Sequence, residues 1–171
     1  MLGSYVVAEL LRARIECAVL VRAKGKQTAE QRIDQILERF EQAWQVSLPR
    51  PKVLEGDLNQ PRLGLSDESV QWVRDNCDRM LHSAASLSFL PADPAGDNEP
   101  YRTNVDGTRE VVAFCEAVGI TQLHHVSTAY VCGTRSGRVK ESEGDTGQSF
   151  ANDYERSKLI AEGIVPEAFC G

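Results

Sequence analysis

The stretch CAVLVR, residues 17–22, decides the fold. Five apolar residues in a row, closed by the charge of Arg22, read as a short parallel strand buried on both faces rather than as an alternating surface strand. Before it, residues 4–14 place Val7, Leu10 and Leu11 on one helical face. After it, KGKQ is a loop, and from Thr28 to about Trp44 Ile33, Ile36, Leu37 and Phe40 recur at helical spacing. Pro49 and Pro51 end that helix. The same alternation repeats downstream. KVLEGDL (52–58), RMLHSAA (79–85) and QLHHVST (122–128) read as strands. Ser66 caps a helix to Asn76, with Asp67 and Glu68 favourable in its first turn. Residues 101–118 form a helix closed by Gly119, and residues 151–163 a final one. LPADPAGDNEP (90–100) and residues 132–149 are loops. Strands alternating with helices predict an α/β Rossmann-like, doubly wound parallel sheet with helices on both faces and right-handed crossovers.

Composition narrows the function. The 171 residues are 42% hydrophobic and 26% charged, which suits one domain with a sizeable core. The formal net charge of −6, without a Lys/Arg block, argues against nucleic-acid binding. No apolar run approaches the ~20 residues of a membrane span. The N-terminal MLGSYVVAELLRAR lacks the layout of a signal peptide. Cys17, Cys77, Cys115, Cys132 and Cys170 are odd in number and scattered, so a disulfide framework or zinc site is not expected. They read as small buried hydrophobes in a reducing, cytoplasmic compartment. His82, His124 and His125 read as packed residues, and no metal is expected.

In such sheets ligands bind beyond the carboxyl ends of the strands. Those ends carry Arg22, Asp57, the segment 83–85, and Ser127 with Thr128. Arg22, followed by Lys24 and Lys26, is either a phosphate-neutralising cluster or a solvated basic loop. Asp57 either accepts a hydrogen bond from an adenine amino group or caps the next turn. The small residues of HSAAS allow close approach of a ribose or phosphate. Ser127 and Thr128 either hydrogen-bond a substrate carbonyl or end a strand.

NDYERSK, residues 152–158, sets Tyr154 four positions before Lys158, on one helical face. With four Tyr and five Lys in the chain, such a pair arises by accident in about one in eight sequences of this kind. A phenol titrates near 10, and a nearby ammonium favours its ionised form, which suits it to proton delivery. A hydroxyl from the strand end would hold the developing oxyanion. The alternative is a surface pair on an amphipathic helix.

A nucleotide-binding unit of this type should open with an apolar strand and a G-x-x-G-x-x-G loop. Only Gly3 stands here, at the position of the loop's last glycine. The missing strand would lie at the centre of order 3-2-1-4-5, leaving its two neighbours without ladder partners. A further strand is also expected after PEAFCG. The chain is therefore expected to be an internal piece of a longer reductase, or a truncated gene product.

Taken together, LGSYVVAELL, VLVRAK, LEGDLNQPRLGLS, HSAASLSF, YRTNVDGTREVVAFC, LHHVSTAYVCG and NDYERSK resemble the extended short-chain dehydrogenase/reductase superfamily. The likeness is closest to its thioester-reductase branch, the male-sterility-type NAD-binding domain, and runs nearly end to end. It implies that residues 1–171 are a partial NAD(P)-binding domain whose carboxy-terminal substrate domain is absent. It implies catalysis by Thr128, Tyr154 and Lys158, with Lys158 also holding the nicotinamide ribose. NADP(H) contacts would come from Gly3, Arg22, Lys24, Asp57, Leu58, Ala84 and Ala85, and Asn104 and Ser127 would support the site. The implied reaction is reduction of an acyl thioester by NADPH to an aldehyde, which can be reduced again to an alcohol. The acyl group would arrive on an acyl or peptidyl carrier protein or on CoA. A homodimer through helices flanking the active site is compatible with the likeness. The absent glycine-rich loop implies weak cofactor binding by this chain alone. Two alternatives stand beside this one: an extended-type nucleotide-sugar epimerase or dehydratase, and a non-catalytic fragment that folds poorly or only associates with a partner. Arg22 in place of an acid, and the long polar loop after VSTAYVCG, favour the reductase.

Overall fold

In the computed structural model, which describes residues 2–169, four parallel strands alternate with five α-helices. In chain order these are α1 (Leu2–Arg12), β1 (Ala18–Val21), α2 (Ala29–Trp44), β2 (Lys52–Glu55), α3 (Asp67–Asn76), β3 (Arg79–His82), α4 (Gly107–Val118), β4 (Gln122–His125) and α5 (Asp153–Phe169). The α/β Rossmann-like class is thus as expected, but the sheet is in two pieces. β1 pairs with β2, Ala18 opposite Lys52, and β3 pairs with β4, Arg79 opposite Gln122. Among the described residues no strand joins β1 to β3. That division agrees with the expected order, in which a central strand would separate these two pairs.

Alternation along β1 and β2 sends their side chains into two layers. Val19, Val21 and Val53 pack with Ala8 and Leu11 of α1 and Ile33 and Leu37 of α2. Ala18 and Leu54 point the other way, into a core with Val70 and Val73 of α3 and Val111, Phe114, Cys115 and Val118 of α4. Met80 of β3 and Leu123 of β4 join that second core. Apolar burial on both faces is the main stabilising term, at about 25 cal/mol per Å² removed from water.

Helix boundaries follow local chemistry. The Thr28 hydroxyl accepts from the Gln31 amide at 3.2 Å and the Gln31 side chain accepts from the Thr28 amide at 3.1 Å, a reciprocal capping box. Ser66 accepts from the Ser69 amide at 3.2 Å. Gly119 ends α4 with φ 83°, the left-handed cap expected of glycine.

Several expectations need correction. Each strand has four paired residues; Gly56 and Val126 still donate to the Val21 and His82 carbonyls, at 3.2 and 2.9 Å, while 57–58, 83–85 and 127–128 lie beyond the ladders. At Gly56 a Cβ would fall 2.4 Å from the Leu63 carbonyl oxygen; the chain leaves the strand there because only glycine permits that approach. The segment 101–118 is not one uniform helix: Arg102–Asp106 is wound as a π turn before α4 begins. α5 continues past 163, where glycine sits exposed with nothing near it to force a cap. Cys115 is buried, Cys17, Cys77 and Cys132 are only half-buried, and all four are free thiols; Cys170 lies outside the described residues.

Candidate active site

The first turns of α5 are tied down on three sides. The Asp153 carboxylate accepts from the Ala92 amide and from the Tyr101 hydroxyl, each at 2.8 Å. These two bonds hold its carboxyl below the usual range, while burial and then Asp153 push the Tyr101 phenol up to about 12. The Ser157 hydroxyl donates to the Tyr154 carbonyl at 2.7 Å and accepts from the Asn104 amide at 2.9 Å. Asn104, 1% exposed in the π turn, also receives the Ser86 amide at 2.8 Å and donates to the Ser86 carbonyl at 3.1 Å. One side chain therefore fixes both α5 and the loop that follows β3.

This frame buries the pair suggested by spacing. Tyr154 is 8% exposed and Lys158 2%, which excludes a solvated surface pair. The Tyr154 ring lies 5.1 Å from that of Phe89. Lys158 crosses to the end of β4, where its Nζ donates to the Val126 carbonyl at 2.9 Å and lies 3.2 Å from His125 Nε2. Burial pushes the Lys158 ammonium towards neutrality, and Glu162 partly opposes it.

Lys158 thus ends one residue before the two hydroxyls singled out in the sequence. They differ in state. Thr128 Oγ1 accepts from the Tyr130 amide at 3.3 Å and caps a 3-10 turn, Ala129–Cys132. Ser127 Oγ is buried without a hydrogen-bond partner among the described residues. Such a buried hydroxyl retains the capacity to bond an incoming group.

Of the adenosine-side candidates, Arg22 and Asp57 come together. Arg22, just past β1, faces Asp57, just past β2, with 3.6 Å between guanidinium and carboxylate. Asp57 accepts from the Asn59 amide at 3.0 Å, so it does hold the following turn. Lys24 is exposed in a tight turn closed on Gln27. Leu58 is half-buried against the core of α3 and α4. Ala84 is exposed and Ala85 half-buried after β3. Gly3 brings the start of α1 against this loop: a Cβ there would lie 3.1 Å from Ser83 Oγ. Close helix–strand approach is the role of the last glycine in a dinucleotide-binding turn.

The histidines divide. His82 is buried and 3.2 Å from the Thr108 hydroxyl. His124 is exposed rather than packed, because it alternates out of β4. His125 contacts Lys158, a role not expected from the sequence; the strand parity it shares with Ser127 was the available signal. Ser157, Asp153 and Phe89 were also missed. A serine inside a helix gives no local sign that its hydroxyl back-bonds the preceding turn. An open groove of about 760 Å³ runs beside Phe89, Phe150, Asn152, Arg156 and Ile160. No helix among the described residues is long and apolar enough to cross a membrane.

Known proteins resemble this chain. It is similar to a linear gramicidin synthase of Brevibacillus parabrevis, 30% identical over 96% of the chain and 3% of the relative. It is similar to fatty acyl-CoA reductase 1 of Mus musculus, 31% identical over 75% of the chain and 26% of the relative. Among solved structures, the terminal R domain from the myxalamid PKS-NRPS biosynthetic pathway superposes with a TM-score of 0.78 and 32% identity, over 98% of this chain and 43% of that one. The chain therefore spans a small part of the curated relatives and under half of that solved domain. The family described as Male sterility protein matches residues 1–171, and the chain belongs to it.

Proposed function

We propose that the protein is an NADP-dependent reductase of acyl thioesters carried on a carrier protein or on CoA, with residues 1–171 forming its dinucleotide-binding part. The observation that carries this is the burial of Tyr154 and Lys158 together, with the Lys158 ammonium held at the Val126 carbonyl beside Ser127 and Thr128. The relatives' names support the substrate class: one is a fatty acyl-CoA reductase, another a terminal R domain from a PKS-NRPS pathway.

The residues present fit a bound dinucleotide at three places. Arg22 and Lys24 offer charge for a 2′-phosphate, and Asp57 an acceptor for adenine. The start of α1 beside Ser83, with Ala84 and Ala85, offers a helix N-terminus and small side chains for the phosphates. Beyond the N–H groups facing Val126 and His125, Lys158 has one donor left for the nicotinamide ribose. When bound, NADPH supplies the hydride.

The chain's own groups then handle the oxygen. The thioester carbonyl oxygen gains charge as the carbon is reduced, and the Thr128 hydroxyl donates to it. The Ser127 hydroxyl, buried without a partner among the described residues, supports that position. The Tyr154 hydroxyl delivers the proton. Lys158 stabilises the ionised phenol that remains. In the hemithioacetal so formed the carbon–sulfur bond then breaks, the hydroxyl proton passing to the sulfur, which leaves as the thiol, and an aldehyde remains; a second hydride and a second proton give the alcohol. The groove beside Phe89 and Arg156 gives the carrier arm an approach to α5.

The test is NADPH oxidation with an acyl-CoA and with an acyl-carrier thioester. Tyr154→Phe should lower turnover by about 10²–10⁴-fold while NADPH affinity stays near that of the unsubstituted protein. Unsubstituted rates in Tyr154→Phe would refute the mechanism. Arg22→Ala should weaken the preference for NADPH over NADH; an unchanged preference would remove Arg22 from the site.

A further inference from the structure

Proton bookkeeping around Lys158 assigns a role to His125. The Thr108 hydroxyl has one hydrogen and donates it to the Asn104 carbonyl at 2.7 Å. Towards His82 Nε2, 3.2 Å away, it can only accept, so His82 carries its proton on Nε2. The His82 and His125 rings lie 5.1 Å apart. Lys158 has donors only. One goes to the Val126 carbonyl, and another faces His125 Nε2 at 3.2 Å. That nitrogen must then present a lone pair, which places the His125 proton on Nδ1. His125 Nδ1 is buried with no partner among the described residues. The ring accepts the cost of an orphaned N–H on one side in exchange for a charge-assisted bond on the other.

We propose that His125 is a positioning residue for Lys158: as the neutral Nδ1–H tautomer it accepts a hydrogen bond from the ammonium and, with the Val126 carbonyl, fixes that charge at the end of β4. This rests on the reductase role given to Lys158 above. In a site 2% exposed, an ammonium with a single acceptor leaves two N–H groups to burial. His125 supplies the second acceptor and does so without adding charge. Among the described residues, His82 from β3 and Glu162 from α5 act on this contact, Tyr154 stands one turn before Lys158 on α5, and the uncharged Thr108 of α4 holds His82.

The primary test is nitrogen NMR of histidine-labelled protein. His125 should show a protonated Nδ1 and an unprotonated Nε2, and Lys158→Met should shift the ring towards the Nε2–H form. A protonated Nε2 in the unsubstituted protein, or a ring unmoved by Lys158→Met, would overturn the proposal. In the thioester assay at saturating NADPH, His125→Leu should lower kcat about tenfold, the size of one hydrogen bond of ~1.4 kcal/mol, with KM for the thioester unchanged. His125→Gln, whose amide oxygen can accept, should recover most of that loss. Unsubstituted kcat in His125→Leu, or a loss as large in His125→Gln, would overturn it. Absence of turnover in the unsubstituted protein would instead overturn the reductase role, while the tautomer still decides the contact.

Discussion

Lowering the pH from about 7 to about 5 should destabilise the protein through its two inward histidines, and the size of the effect follows from their burial. His82 is 5% exposed, and burial, then the charges of His125 and Lys158, hold its pKa down to about 3. Burial and then Lys158 hold His125 down to about 4. In the unfolded chain both rings titrate near their ordinary value of about 6.5. Below that value the unfolded chain binds protons that the folded protein refuses. Stability is therefore intact above about pH 6.5 and falls, per ring, by about 1.4 kcal/mol for each pH unit below it. At about pH 5 the His82 share is about 2 kcal/mol. His125 is only half-buried, so solvent screening reduces its share to about 1 kcal/mol. The lowered carboxyls of Asp153, Glu41 and Glu143 work in the same direction but begin to act only as the pH approaches the carboxylate range near 4, below this window. Urea titrations followed by fluorescence of Trp44 and Trp72 should show the midpoint falling by about 1–2 M at constant slope. His82→Gln, which keeps a donor for Thr108 but cannot titrate, should lose about two-thirds of the pH dependence, in proportion to the His82 share. Equal stability at the two pH values, or an undiminished dependence in His82→Gln, would refute the assignment of buried neutral imidazoles.

Two further outcomes are expected. Asn104→Ala strands the Ser86 backbone groups and the Ser157 hydroxyl and should cost about 1–3 kcal/mol in urea unfolding. It should also speed amide exchange at Ser86; a protected Ser86 would show that another group holds the loop. Thr28→Ala removes one half of the capping box and should cost about 1 kcal/mol by thermal unfolding. Because α2 packs chiefly on α1 and β2, turnover should be retained, and a loss of turnover would reveal coupling between α2 and the site.

Legibility in the sequence divided along the reach of each interaction. Ser66 and Gly119 marked helix ends correctly because capping is settled within three or four residues, and the periodic stretch read from Thr28 begins at the residue that caps α2. The strands read too long because apolar and β-branched residues continue beyond the last rung. Where the ladder stops depends on contacts such as Gly56 against the Leu63 carbonyl, which composition does not record. The π turn was invisible for a related reason: its inward Asn104 is held by Ser86 and Ser157, neither of them a near neighbour in the chain.

The Tyr154–Lys158 spacing was local and legible, yet spacing alone left both a surface pair and a reactive pair open. Burial separates them, and burial is not local. A lysine at 2% exposure requires acceptors, and those acceptors are Val126 and His125, 32 and 33 residues earlier in the chain. A surface helix would leave this ammonium in water at no cost. The fold instead carries it to the end of β4 against a desolvation penalty, and keeps it there with two acceptors and a carboxylate one turn away. Side chains that only decorate a helix do not draw such compensation from another layer of the fold. The concentration of partners on Lys158 is what makes the pair a candidate site rather than an accident of spacing.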